Sequence, residues 1–88
     1  RVRVPKAMIK KAVERRHRDK PHPDRIYRGR ILALVRDHPN GVLVASVGSH
    51  VDAAFDARHD GEWMADMIDR MTRDQFIRLR NNKLFLTF

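Results

Sequence analysis

The last thirteen residues constrain the fold more than any other stretch of the chain. Phe76-Ile77-Arg78-Leu79-Arg80-Asn81-Asn82-Lys83-Leu84-Phe85-Leu86-Thr87-Phe88 alternates in character on either side of Asn-Asn. Asn accepts the positive φ that both central positions of a mirror-image two-residue turn require. A turn there pairs Arg80 with Lys83, Leu79 with Leu84, Arg78 with Phe85, Ile77 with Leu86 and Phe76 with Thr87. In that register Ile77, Leu79, Leu84 and Leu86 share one face and cover a core, whereas Arg78, Arg80, Lys83 and Phe85 face out. A hairpin is marginal by itself, so its apolar face must rest on the segments before it.

Those segments read mainly as helices. From Pro5 to about Arg18, Met8, Ile9, Ala12 and Val13 recur at helical spacing among Lys6, Lys10, Lys11, Arg15, Arg16 and Arg18, which predicts a basic amphipathic helix with Pro in its first turn. Asp19-Lys20-Pro21-His22-Pro23 reads as an extended connector. Residues 1–23 are therefore expected to form a basic helical arm and linker, and 24–88 the main domain. Asp24 is expected to cap a second helix with a Tyr27, Ile31, Leu34 and Val35 stripe, ended by Pro39-Asn40-Gly41. Val42 to Val44 reads as a short strand, the third of the sheet. Ser46 is expected to cap a helix from about Val47 to Phe55, Ala57 to Gly61 to form a loop, and Glu62 to Arg73 a last helix. The stripe of that helix, Trp63, Met64, Met67, Ile68 and Met71, is the sharpest in the chain. The expected core is Tyr27, Ile31, Leu34, Val35, Leu43, Val47, Val51, Phe55, Trp63, Met67, Ile68, Met71, Ile77, Leu79, Leu84 and Leu86.

The sum is an α+β fold, mostly α, with a small antiparallel sheet. Its order of helix, short strand, two helices and a two-stranded hairpin resembles the winged-helix variant of the helix-turn-helix domain over about Arg25 to Phe88. The closing pattern carries the resemblance: Met67-Ile68-Asp69-Arg70-Met71, then Phe76-Ile77, then Leu84-Phe85-Leu86-Thr87. Asp74-Gln75 stands where many members have an acidic residue and Gly. Tyr27-Arg28-Gly29-Arg30-Ile31-Leu32 also resembles the opening of the C-terminal extension of some A/G-mismatch adenine DNA glycosylases. The glycosylase core, with its helix-hairpin-helix and iron–sulfur cysteines, is absent, so this second resemblance implies a DNA-repair accessory module without the activity.

At 88 residues the chain makes one small domain, with no room for a catalytic cleft between domains. Without cysteine it holds no disulfide scaffold and no thiolate zinc site. The lack of cysteine makes an intracellular home, in cytoplasm, nucleoid or nucleus, the expected one; no apolar run approaches the roughly 18 residues of a membrane span, and no signal-peptide pattern is visible. The opening on Arg1 rather than Met predicts a domain of a longer protein. The net charge of +8 would attract polyanions over about 8 to 10 Å at physiological salt.

That charge is uneven: +9 over residues 1–38, −4 over 39–75 and +3 over 76–88. A winged helix ordinarily reads DNA with the helix before its wing. Here that segment offers Asp60, Glu62, Asp66, Asp69 and Asp74 against Arg70 and Arg73, which would bring carboxylates toward phosphates. Two readings follow. In one, a non-catalytic module of a larger DNA-processing or regulatory protein holds duplex DNA by its phosphates. Its contacts would be Lys10, Lys11, Arg15, Arg16, Arg18, Arg28, Arg30, Arg78, Arg80 and Lys83, with Phe85 to stack or wedge against bases. In the other, the fold docks a protein partner through the acidic helix 62–74 or the basic arm. The hairpin cations also have a plain role, because Lys and Arg on an edge hairpin block edge-to-edge aggregation.

Neither a cofactor nor a metal is expected. Asp52, Asp56, His59 and Asp60 come nearest to a ligand set, but a metal needs three or four converging groups. Among the hydroxyls, Ser46 and His50 lie on one helical turn, yet no oxyanion loop is recognisable, so no enzyme activity is expected.

Overall fold

The computed structural model describes residues 16–87. Over these it is a small α+β domain, mostly helical, of three helices and a three-stranded antiparallel sheet. The order is α1 (Asp24–Arg36), β1 (Val42–Leu43), α2 (Val44–Val51), α3 (Ala57–Arg73), β2 (Ile77–Arg80) and β3 (Lys83–Leu86). β3 lies between β1 and β2.

The hairpin folds in the register that its turn dictates: Ile77 faces Leu86, Arg78 Phe85, Leu79 Leu84 and Arg80 Lys83. Asn81 and Asn82 have φ of 52° and 65°, the mirror-image turn that matches strand twist. β1 adds to the other edge of β3, Val42 opposite Leu84 and Leu43 opposite Lys83. Strand pleating then puts Val42, Leu84 and Leu79 in one inward row and Leu43, Lys83 and Arg80 in one outward row. Val42 and Leu84 are buried. Leu79 and Leu43, both expected in the core, are 53% and 54% exposed. Leu43 has the wrong parity for the core, and Leu79, though inward, lies on the edge strand.

Helix boundaries differ from the sequence pattern where tertiary contacts decide them. α1 starts at Asp24 with Pro23, not Asp24, as N-cap residue. The expected third residue of the strand, Val44, already opens α2. Its N–H donates to Asn82 O of the hairpin turn at 2.9 Å, and Ser46 sits inside the helix, donating to Leu43 O. α2 stops at Val51, short of Phe55. α3 begins at Ala57, so the stretch expected to be a loop is its first turn. Asp56 is the cap, its carboxylate accepting from the Arg58 N–H at 3.1 Å.

The core joins Tyr27, Ile31 and Val35 of α1, Val47 and Val51 of α2, Met64, Met67, Ile68 and Met71 of α3, and Val42, Ile77 and Leu84 of the sheet. Leu34, Phe55, Trp63 and Leu86 pack at its margin. Gly41, with φ of 101°, lies beside the Phe85 ring; a Cβ there would meet the ring at 2.8 Å. The close approach therefore needs glycine twice over, for φ and for space.

The predicted arm helix falls mostly on residues 1–15, outside the described residues. Its expected end is not helical: His17 to Lys20 form a turn closed by Lys20 N–H to His17 O, with Arg18 at φ of 50°. Nor does the connector stand off from the domain. Lys20 is only 4% exposed and His17 stacks on Trp63, with ring centroids 4.6 Å apart and planes 5° apart.

Candidate functional site

The outward face of the hairpin collects Arg78, Arg80 and Lys83, all exposed, and none of their side chains has an ion-pair or hydrogen-bond partner among the described residues. Arg80 and Lys83 are directly opposite, an arrangement that places like charges within about 5.5 Å at Cβ. The hairpin offers them no counter-charge of its own, because residues 75–88 contain no Asp or Glu. Phe85 is half-buried across Gly41, in a cleft that it shares with Val35, Arg36, Pro39, Arg78, Leu86 and Thr87, so it packs rather than standing free. Phe76, which the same alternation puts on the outward side, is 51% exposed.

The other expected contact residues divide. Lys10, Lys11 and Arg15 lie outside the described residues. Arg28 is exposed and has no partner among the described residues. Arg30 donates to Val51 O at 2.9 Å and lies over the Tyr27 ring at 5.3 Å, joining α1 to the end of α2. Arg16 donates to Pro21 O at 3.3 Å, and Arg18 pairs with Asp60 at 3.2 Å. These last three are thus engaged with the domain itself.

On the outward side of α3, Arg70 pairs with Asp66 at 3.2 Å and Arg73 with Asp69, each one helical turn apart. The two guanidiniums of the C-terminal half of α3 are thus neutralised by carboxylates of the same helix. Asp69 raises the Arg73 pKa through its hydrogen bond and its charge.

Two of the three acids nearest to a metal-ligand set converge on an amine instead. Lys20 Nζ lies 2.6 Å from Asp52 Oδ2 and 2.8 Å from Asp60 Oδ2, all three side chains being buried. Asp60 also accepts from the Asp56 N–H at 3.0 Å and contacts His17 Nε2 at 3.0 Å. Burial pushes the Asp60 carboxyl up, but the Lys20 and Asp56 hydrogen bonds, the Lys20 charge and His17 outweigh it and hold the pKa at about 2. Burial lowers the Lys20 pKa, and the two carboxylates more than reverse this, leaving it raised. Asp56 pairs with His59 on the surface at 2.6 Å. Among the described residues no three acids or histidines are placed to hold a metal ion, and no helix is long and apolar enough to cross a membrane. Lysine is almost never fully buried unless paired. The sequence carries the partners of Lys20, but 32 and 40 residues further along the chain.

No family model, curated protein or solved structure matches the chain.

Proposed function

We propose that the domain is a non-catalytic nucleic-acid-binding module of the winged helix-turn-helix type, part of a larger DNA-processing or regulatory protein, that holds the phosphate backbone on the outward face of its hairpin. The order of elements and the sheet order β1–β3–β2 support the winged-helix assignment. The observation that carries the function is the opposition of Arg80 to Lys83, neither of them paired with an acid among the described residues. Like charges directly across a ladder cost stability, and a polyanion reverses that cost. Edge protection explains the pair less well, since Lys83 is on the central strand. α3 is a poor reader of a groove because Arg70 and Arg73 are already paired with Asp66 and Asp69 and the helix is otherwise rich in carboxylates. Such a partner places the protein in cytoplasm, nucleoid or nucleus.

Titration with a labelled duplex of about 20 base pairs at about 50 and 200 mM salt tests this. The wild type should bind with a steep salt dependence, and R78A/R80A/K83A should lower the slope of log K against log salt by about 2.7, three phosphate contacts at roughly 0.9 each. An unchanged slope would remove the hairpin from binding.

A further inference from the structure

We propose that the outward sheet face takes single-stranded nucleic acid, with Phe76 as the platform on which one unpaired base stacks. This rests on the hairpin's reading as a phosphate-binding surface and specifies what that surface holds.

Phe76 is fixed by hydrogen bonds on both sides. α3 ends with Gln75 in the left-handed region at φ of 66°; Gln75 N–H donates to Thr72 O and Phe76 N–H to Met71 O, each at 3.0 Å. That pair is the Schellman arrangement, which closes a helix and redirects the chain. Thr87 N–H then donates to Phe76 O at 3.3 Å, extending the hairpin register by one pair. The two-residue strand period puts Phe76 on the side of Arg78 and Arg80. The Schellman motif commonly packs a residue at this place against the helix, yet Phe76 is half exposed.

Successive outward residues of a strand are about 6.8 Å apart, so Phe76, Arg78 and Arg80 make a row of one aromatic and two cations. Lys83 lies beside Arg80. A base stacked on the ring leaves its phosphates along the guanidiniums, the combination of π-platform and basic track that holds single strands. In a duplex the base faces are already stacked, which leaves the ring nothing to bind.

The full chain is titrated with labelled oligo(dT) of about 15 nucleotides and with a duplex, followed by anisotropy. Phe76→Ala should weaken oligo(dT) binding about tenfold and duplex binding less than about twofold. Phe76→Leu should lose as much as Phe76→Ala, because area without a π-face does not suffice, and Phe76→Trp should retain affinity and show emission quenched by the strand. Equal effects of Phe76→Ala on both ligands, or none on either, would overturn the inference. So would displacement of oligo(dT) by poly-glutamate as readily as by unlabelled strand, which would mark an acidic-peptide surface. Loss of binding in R78A/R80A/K83A with full binding in Phe76→Ala would overturn this inference and leave the hairpin reading standing; a wild type that binds neither ligand would remove both.

Discussion

The domain keeps cations in two opposite settings. Around Lys20 the charges are matched and its amine and both carboxylates are buried, with Asp52 and Asp60 on the amine and the more exposed His17 and Arg18 on Asp60. On the hairpin Arg78, Arg80 and Lys83 are exposed, and Arg80 faces another cation. The same residue types therefore do different work according to where their partners lie. Buried charges tie the segment before α1 to the start of α3, whereas the exposed ones leave their attraction available to a ligand.

The largest expected effect is at the buried end of this comparison. Asp60→Ala removes one of two carboxylates from a buried amine and should cost about 3 kcal/mol, a large share of a small domain's stability. Denaturant unfolding followed by the fluorescence of Trp63, the only tryptophan, reads it. A midpoint within error of wild type would mean that the two settings do not differ in stability.

The second effect is on pH. Asp60 has a folded pKa of about 2 against an ordinary 3.8. A lowered folded value gives stability that is complete above the unfolded pKa and lost as pH falls through the folded one, so this contribution, on the order of 2 kcal/mol, should fade between about pH 4 and pH 2. Lys20 has the opposite sign. Its folded pKa is raised above 10.5, which gives stability that is fully present below 10.5 and lost as pH rises through the folded value. Asp60→Asn should flatten the acid limb of the stability profile; an unaltered limb would assign acid sensitivity to other groups.

Much of the hairpin was legible because turn residue and alternation are local: Asn81-Asn82 sets the register, and the register sorts the faces. The α3 stripe was legible for the same reason, and its buried Met64, Met67, Ile68 and Met71 follow from helical period alone. The start of α3 was not. Asp56 as cap and Asp60 in the first turn are sound start signals, but Gly61 and the polar run around it read as a loop. Lys20 was hidden more deeply, since its burial depends on two acids brought together only by the folded chain. The register pairs Phe76 with Thr87, but its exposure was not legible, because it depends on how the chain leaves α3 at Gln75, which takes the left-handed place that a sequence usually marks with Gly.

The smallest expected effect sharpens the comparison from the exposed end. In R78A/R80A/K83A no ion pair among the described residues is lost and the repulsion between Arg80 and Lys83 is relieved, while strand propensity falls slightly with alanine. The two changes oppose each other, so stability should stay within about 0.5 kcal/mol of wild type. Denaturant midpoints of the two proteins measure it. A loss comparable with that of Asp60→Ala would show that the hairpin cations hold the fold together, and the contrast between a matched interior cluster and an unmatched outer face would then fail. A small gain would instead locate the strain of the unliganded domain in the Arg80 and Lys83 pair, where a polyanion would relieve it.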